Sequence, residues 1–353
     1  MARCFVTRSL PGPALDRLRA AHEVDVWPER LPPPYEELAA RAADADGLLA
    51  LLTDRVDAAL IERCPHLRVI SNYAVGYDNI DIDAAAAREI AVGNTPDVLT
   101  EATADLTFAL LLSAARKLPE AMASVDQGDW LTWEPARYLG AAVQGAVLGI
   151  VGFGRIGRAV ARRALGFEMT VLYAGGGGGG AGVGGRAAPV SEGGATSTGG
   201  SAGSVSEGGA ADNGVSAGSV SQVPLGALLE GSDFVSLHCP LTPATHHLID
   251  AEALRRMRPS AILINTARGP IVDQTALREA LESGRIAGAA LDVTDPEPPA
   301  PDDPLLAAPN IIVVPHIGSA TRAARERMAD LAVENLLAGL DGRPLPHQVQ
   351  AVV

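Results

Sequence analysis

Residues 147–157 read VLGIVGFGRIG, an unbroken apolar run that leads directly into the glycine-rich loop Gly152-Phe153-Gly154-Arg155-Ile156-Gly157. The apolar run predicts a strand buried on both faces of a sheet, and residues 156–165 after the loop have the pattern of a helix. Gly152 and Gly154 allow the backbone to approach a pyrophosphate, and Gly157 allows close packing of helix on strand. Free N–H groups and the helix dipole then face the phosphates. The stretch therefore predicts a domain that binds a dinucleotide.

Short apolar segments alternate with helical patterns on both sides of this stretch. The predicted strands are Cys4–Thr7, Val24–Trp27, Gly47–Leu52, Val69–Ser71 and Ile90–Val92 before it, and Thr170–Tyr173, Phe234–Leu237, Ala261–Asn265, Gly288–Asp292 and Ile311–Val314 after it. Such alternation is typical of parallel βαβ units. It predicts the α/β class, with two doubly wound parallel-sheet (Rossmann-like) domains.

Two long helical patterns frame the second set of strands. The first begins at Thr100 and ends at Arg116-Lys117 before Pro119, in a position to connect the two domains. The other, Thr321–Gly339, is amphipathic. We expect it to return to the first domain, because the second sheet already has its six predicted strands. The first domain is then discontinuous in sequence.

The segment from about residue 174 to 222 differs from the remainder of the chain. It consists of Gly, Ser, Ala and Val with almost no large side chains. Such a composition buries too little apolar surface to offset the entropy of ordering. We predict a disordered surface insertion in the dinucleotide-binding domain.

Charge and cysteine content exclude several classes of protein. The 353 residues have a formal net charge of −14, which argues against nucleic acid or an acidic membrane surface as a partner. The apolar runs are too short to span a bilayer, so no membrane association is expected. Cys4, Cys64 and Cys239 are too scattered for a disulfide framework or a metal site, so no metal is expected. These features favour a cytoplasmic protein.

Three polar side chains follow predicted strands of the second sheet, where an α/β sheet places its chemistry. Arg268 has the planar, permanently charged group that suits a carboxylate. Glu297 lies in the proline-flanked stretch Asp295-Pro296-Glu297-Pro298, and His316 directly follows the last strand. Reduction of a 2-oxo acid needs a group that binds the substrate carboxylate and a proton donor with a pKa near 7. An arginine suits the first task and a histidine the second.

The choice of cofactor stays open on these residues. An acidic side chain usually contacts the ribose of NAD about 20 residues after the glycine loop, and an arginine accommodates the extra phosphate of NADP. Ala174 and Gly175 occupy this position. Neither has a side chain suited to either task, so NADP and NAD both remain candidates.

Taken together, these stretches resemble the D-isomer-specific 2-hydroxyacid dehydrogenases, and most closely their glyoxylate/hydroxypyruvate reductase branch. The resemblance runs nearly end to end and is highly specific. Its motifs are FVTR at 5–8, VGYDNID at 75–81, NTPDVLTEATADL at 94–106, VGFGRIG at 151–157, INTARG at 264–269, LDVTDPEP at 291–298 and PHIGSAT at 315–321.

The resemblance implies an NAD(P)H-dependent reduction of a small 2-oxo acid, glyoxylate to glycolate or hydroxypyruvate to D-glycerate. It implies His316 as proton donor, Glu297 as its partner, Arg268 as the anchor of the substrate carboxylate, and Val75 and Gly76 as the remainder of that anchor. The implied cofactor contacts are Thr103, Gly152, Phe153, Gly154, Arg155, Ile156, Gly157, Thr266, Ala267, Asp292 and Gly318.

The family also implies the domain plan and the assembly. Residues 1–101 and 319–353 would form the substrate-binding (flavodoxin-like) domain and residues 102–318 the dinucleotide-binding domain. A homodimer would form through residues of about 102–145. In one departure, Arg137 follows Trp133-Glu134-Pro135-Ala136 where the branch often has a second tryptophan, thought to reach the neighbouring subunit. We expect that change to alter substrate choice.

Two other functions fit the same residues. One is another D-2-hydroxyacid dehydrogenase, such as an enzyme acting on phosphoglycerate, although the stretch TEATADL at 100–106 favours the reductase branch. The other is a nucleotide-sensing corepressor built on this fold, which can keep the catalytic residues. Formate-type oxidation is disfavoured by Glu297.

Overall fold

The computed structural model of the protein describes residues 1–175 and 218–349, and these residues form two parallel sheets covered by helices on both faces. This arrangement confirms the predicted α/β fold class. All strand pairs within the two sheets are parallel. Because the carboxyl ends of parallel strands lie at one edge, each sheet presents a single row of loops to the cleft between the domains.

The first sheet has five strands in the order β2-β1-β3-β4-β5. Its elements are β1 (Arg3–Val6), α1 (Ala14–Ala21), β2 (Glu23–Val26), α2 (Tyr35–Ala43), β3 (Gly47–Ala50), α3 (Ala58–Glu62), β4 (Val69–Asn72), α4 (Ile82–Ala87) and β5 (Ala91–Gly93). Every residue of β3 and β4 is buried, as expected of central strands covered on both faces. The helices α2 and α3 contribute side chains to the core on one face.

The second sheet has seven strands in the order β12-β11-β10-β9-β6-β7-β8. Its elements are α5 (Thr100–Ala115), α6 (Leu118–Asp126), β6 (Val147–Val151), α7 (Arg155–Leu165), β7 (Thr170–Ala174), β8 (Val220–Gln222), α8 (Leu225–Gly231), β9 (Phe234–Leu237), α9 (Ala251–Arg256), β10 (Ile262–Asn265), α10 (Gln274–Glu282), β11 (Gly288–Leu291) and β12 (Ile311–Val313). From the central pair β6 and β9, the chain adds β7 and β8 on one side and β10, β11 and β12 on the other. The loops after β6 and β9 therefore diverge, and they leave a crevice at the glycine loop that follows β6.

The last helix, α11 (Arg322–Leu340), packs on α1 and on β3 and β4 of the first sheet. Met328, Val333 and Leu336 are among the side chains that it buries there. The helix therefore returns to the first sheet as expected, although the second sheet has seven strands and not the six on which that expectation rested. The exact division of the domains at residues 101 and 319 stays a prediction.

One detail of the predicted elements is wrong. Residues 220–222 were assigned to the insertion but form the edge strand β8, which pairs with Val171–Tyr173 of β7 and makes the sheet seven-stranded. Their weak sequence signal is overridden by the hydrogen-bonding edge that β7 offers. The first long helix ends as predicted, because α5 stops at Ala115 with Arg116 as its C-cap; Pro119 stands in the first turn of the separate helix α6, where a proline needs no N–H partner. The remainder of the predicted insertion, residues 176–217, lies outside the described residues.

The three cysteines are buried and unpaired. Within residues 1–175 and 218–349, no group of His, Cys, Asp and Glu side chains is arranged to hold a metal ion. Over the same residues, no helix combines the length and the apolar character that crossing a bilayer requires.

Candidate active site

The three candidate side chains stand at the carboxyl ends of three neighbouring strands. β10, β11 and β12 pair in parallel with Asn265 opposite Leu291 and Leu291 opposite Val313. Arg268 follows β10, Glu297 follows β11 and His316 follows β12. Parallel register thus brings together residues that are up to 48 positions apart in the sequence. It places them at one edge of the sheet.

His316 and Glu297 form a direct pair. Nδ1 of the imidazole lies 2.5 Å from Oε1 of the carboxylate, and both side chains are partly exposed. The other ring nitrogen, Nε2, has no hydrogen-bond partner among the residues that the structure describes. The backbone at His316 has φ of 50°, a left-handed conformation that costs free energy in a non-glycine residue. A hydrogen bond from its N–H to the Asp292 carbonyl oxygen, 2.9 Å long, holds it there.

Asp292 supports the loop that carries His316. Its carboxylate accepts hydrogen bonds from the N–H of Ile317 at 2.6 Å and of Gly318 at 2.9 Å. Burial raises the pKa of the Asp292 carboxyl, although the Ile317 N–H and the charge of His316 act to lower it. The structure therefore places this predicted cofactor contact beneath the histidine loop, with two backbone donors already on its oxygens.

Arg268 reaches from the second sheet toward the first. Its Nη1 donates to the Ala267 carbonyl oxygen at 2.8 Å, and its Nε donates to Oδ1 of Asp78 at 3.1 Å. A methyl group at Gly76 would overlap Nη2 of Arg268. The guanidinium therefore lies directly against the Val75-Gly76 segment, so the structure brings together the arginine and the segment expected to anchor the substrate carboxylate.

The Val75-Gly76 segment is held in place by asparagine side chains. Asn72 Nδ2 donates to the Gly76 carbonyl oxygen and Asn94 Nδ2 to the Val75 carbonyl oxygen, both at 2.8 Å. Asn335 of α11, fully buried, donates in turn to the Asn94 carbonyl oxygen at 2.9 Å. Because both carbonyl oxygens accept hydrogen bonds from side chains of the first domain, the backbone of the segment is held in position beside Arg268.

The glycine loop between β6 and α7 has the shape that a dinucleotide needs. Gly154 is the N-cap of α7 and no side chain caps the first turn, so its N–H groups are available to a phosphate. A Cβ at Gly154 would meet no atom within 4 Å, which leaves open space over those groups. Gly152 has φ of 94°, and a Cβ there would lie 2.5 Å from the Cys239 nitrogen. The residues present thus fit a bound pyrophosphate.

The side chains of the loop have other partners. Phe153 stacks on Tyr173 with ring centroids 3.9 Å apart, and Ile156 packs against the core beneath α7. Arg155 forms an ion pair with Asp97, 2.5 Å away in the segment that precedes α5. Phe153 and Ile156 can therefore contact a cofactor through their backbone. The side chain of Arg155 is paired with Asp97 on the opposite side of the cleft.

A second group of predicted cofactor residues meets at the His316 end of the cleft. Thr107 Oγ1 lies 3.1 Å from Thr266 Oγ1 and donates to the Thr103 carbonyl oxygen at 2.8 Å. A Cβ at Gly318 would lie 3.4 Å from Thr103 Oγ1. Ala267 is fixed by its N–H, which donates to Asn265 Oδ1 at 3.0 Å. These contacts bring α5, the residues that follow β10 and the loop that carries His316 together.

At the far end of the cleft, β7 ends at the buried Ala174, and the exposed Gly175 follows it. Gly175 has φ of 73°. Neither residue presents a charged side chain to a ribose, so this strand end contributes nothing that distinguishes NAD from NADP.

Arg137 is fully engaged within its own loop. It forms ion pairs with Asp129 and with Glu134, the latter at 3.0 Å, and its guanidinium lies 4.8 Å from the ring centroid of Tyr138. These carboxylates neutralise its charge locally. Its structural task is to fold the loop that carries Trp133.

Asp78 and the three asparagines were not singled out as site residues from the sequence. Asp78 lies in the quoted motif VGYDNID, which was the available signal, but only the fold shows that it meets Arg268.

Comparison with known proteins adds to this geometry. Residues 108–176 and 206–318 match the family described as D-isomer specific 2-hydroxyacid dehydrogenase, NAD binding domain. The chain is 45 % identical to the glyoxylate reductase of Korarchaeum cryptofilum, over 99 % of this chain and 96 % of that one. It superposes with a TM-score of 0.83 on a structure from Thermus thermophilus that is 46 % identical, covering 99 % of this chain and 100 % of that one.

A further similar structure is the NADPH-dependent glyoxylate/hydroxypyruvate reductase of Sinorhizobium meliloti, solved with NADP and malonate. It has a TM-score of 0.77 and 30 % identity, and the match covers 99 % of this chain and 96 % of that one. The similarity thus extends over both sheets.

Proposed function

The chain belongs to the D-isomer-specific 2-hydroxyacid dehydrogenase family, and from that premise we propose that it reduces a small 2-oxo acid, glyoxylate or hydroxypyruvate, with NADPH or NADH. The glyoxylate reductases among its relatives and the fit of the glycine loop to a pyrophosphate support this proposal. The observation that carries it is the His316–Glu297 pair beside the strand that positions Arg268.

Arg268 and the Val75-Gly76 segment bind the substrate carboxylate. The Nη2 group of Arg268 lies beside Gly76, where a carboxylate accepts charge-assisted hydrogen bonds from the guanidinium and faces the backbone of the segment. The carbonyl oxygen of a 2-oxo acid is two bonds from that carboxylate. Anchoring the carboxylate therefore fixes the carbonyl at the end of the cleft that holds His316.

His316 supplies the proton. When bound, the reduced nicotinamide provides the hydride that adds to the carbonyl carbon. Negative charge then develops on the carbonyl oxygen, and Nε2 of His316 is the nitrogen that donates a proton to it, because Nδ1 is bonded to Glu297. Glu297 acts through the imidazole, as a positioning residue that fixes the ring and its tautomer.

Initial rates with glyoxylate and with hydroxypyruvate, each against NADPH and NADH, test the proposal. We expect turnover with at least one pair, and a loss of about 10²–10⁴-fold in kcat for His316→Asn, since general acid catalysis contributes that much. His66→Asn removes an exposed histidine from the first domain and serves as the control. Absence of turnover with every pair, or an unimpaired His316→Asn, would refute the assignment.

We further propose a homodimer that forms through residues 102–145. Support comes from the loop after α6, which exposes Trp130, Leu131 and Trp133 by 67 %, 85 % and 81 %. Contiguous apolar exposure of this kind is characteristic of interaction surfaces.

We also propose that residues 1–101 and 319–353 form the substrate domain. The enzyme works in the cytoplasm, a compartment that its unpaired cysteines favour.

A further inference from the structure

The ion pair between Arg268 and Asp78 joins the two sides of the cleft. Arg268 follows β10 of the second sheet, whereas Asp78 lies between β4 and α4 of the first. Nε of Arg268 donates to both carboxylate oxygens, at 3.1 Å and 3.3 Å. The two side chains are 25 % and 39 % exposed, so the pair is open to a ligand in the cleft.

The segment that carries Asp78 is itself fixed. Asn79 Nδ2 donates to the carbonyl oxygens of Leu51 and Asp54, both at 3.0 Å, and Ile80 forms a bridge with Val56. Asn72 Nδ2 donates to Asn79 Oδ1 at 3.0 Å as well as to Gly76. The backbone on both sides of Asp78 is thus fixed within the first domain, which limits where its carboxylate can lie.

The hydrogen-bond donors of Arg268 are divided between protein and substrate. Nε–H is bonded to Asp78 and one Nη1–H to the Ala267 carbonyl oxygen. Nη2, beside Gly76, has no partner among the described residues. Of the five guanidinium donors, the described residues therefore occupy the Nε–H and one Nη1–H and leave both donors of Nη2, which lies beside Gly76.

We propose that Asp78 is a positioning residue that orients Arg268 from the opposite domain, so that the Nη2 end of the guanidinium meets the substrate carboxylate; this rests on the 2-oxo acid reductase function proposed above. A long arginine side chain has many rotamers, and holding it before the substrate binds removes an entropic cost from binding. The carboxylate of Asp78 acts through Arg268 and contacts no reacting atom.

Steady-state kinetics of Asp78→Ala and Asp78→Asn test this proposal. With saturating NADPH and glyoxylate as the varied substrate, we expect KM to rise about tenfold in Asp78→Ala and kcat to change less than about threefold, because uniform binding of the carboxylate is lost. Asp78→Asn keeps an acceptor oxygen and should fall between wild type and Asp78→Ala. Asp83→Asn, an exposed carboxylate on the neighbouring helix α4, should leave KM unchanged.

A double-mutant cycle with Arg268→Lys shows whether Asp78 acts through the arginine. Lysine lacks the Nε–H that Asp78 accepts, so Asp78→Ala should have little further effect on kcat/KM in that background. An equal effect in both backgrounds, or a KM in Asp78→Ala at or below the wild-type value, would overturn the proposal. Wild-type turnover is measured alongside, so a chain inactive toward all 2-oxo acids would instead refute the proposed function. The dissociation constant of NADPH and the Tm of each variant should match wild type.

Discussion

Gly76 is a residue at which the first domain lies directly against Arg268 of the second. A Cβ there would overlap Nη2 of Arg268 and lie 2.8 Å from Oδ1 of Asp78. We expect Gly76→Ala to displace the guanidinium by about 1 Å and to lower kcat/KM for the 2-oxo acid at least about 100-fold. Binding of NADPH, measured by fluorescence titration, should be unaffected.

The control for this substitution is Gly166→Ala. Gly166 is an exposed helical C-cap of α7 with φ of −65°, which alanine adopts readily. If both variants kept wild-type kcat/KM, the close approach at Gly76 would have no role in substrate binding.

His238 gives the protein a predictable dependence on pH. Burial lowers the pKa of this imidazole to about 3 from 6.5; Nε2 bonds Ser236 Oγ at 2.8 Å, and the buried Nδ1 has no partner among the described residues. Between those two pKa values the unfolded chain binds a proton that the folded chain does not. Stability therefore falls as the pH falls below 6.5, by about 1.4 kcal/mol per pH unit from this group.

Urea unfolding of wild type and His238→Gln at pH 7 and pH 5 measures this contribution. The glutamine stays neutral, so we expect the wild type to lose about 2 kcal/mol more than the variant on acidification. Equal losses in the two proteins would show that His238 is protonated as readily in the folded state as in the unfolded state.

At the scale of the element, the amino end of α7 must begin a stable helix and must also leave room for the phosphates of a cofactor. A helix gains stability from an N-cap side chain, yet α7 begins at Gly154 without one. Gly154 has an extended backbone and open space around its Cβ position. Asp would therefore fit there, cap the first turn, and place a negative charge where the pyrophosphate must lie.

We expect Gly154→Asp to keep or slightly raise the Tm and to weaken NADPH binding by more than tenfold, measured by isothermal titration calorimetry. Gly154→Asn caps the helix without the charge and should bind NADPH better than Gly154→Asp. Wild-type affinity in Gly154→Asp would place the phosphates elsewhere.

At the scale of the whole molecule, the loop between α6 and β6 projects apolar side chains that no described residue covers. Trp130 and Trp133 are 67 % and 81 % exposed, while Arg137 fixes the loop through Asp129 and Glu134. A preformed apolar surface suits a self-complementary, two-fold interface. Wild type should therefore have twice the 36.3 kDa mass of one chain in light scattering.

The double variant Trp130→Ser/Trp133→Ser should be a monomer, because about 2–4 kcal/mol of apolar burial per tryptophan is lost at the interface. Leu31→Ser removes a side chain that is 74 % exposed on the first domain and should remain dimeric. A dimer that survives the double variant would locate the interface away from this loop.

The fold and much of the site could be predicted from the sequence because the signals are local. The run 147–151 and the glycine loop specify strand, turn and helix within 20 residues, and β6 and β9 begin and end where their apolar runs do. Arg268, Glu297 and His316 were recognisable because each lies within six residues of the end of a strand. The local pattern was too weak for β8, which needs the edge of β7 to pair with.

Only the tertiary structure decided what these residues touch. Nothing in the spacing of 190 residues between Asp78 and Arg268 predicts an ion pair, because the pair depends on how one domain faces the other. The same holds for the Asn335–Asn94–Val75 chain, which requires α11 to return to the first sheet. By itself the sequence determined a dinucleotide-binding α/β protein with an arginine, a glutamate and a histidine after its strands. The packing of two domains decided which carboxylate orients the arginine, because such contacts arise between segments that no local pattern relates.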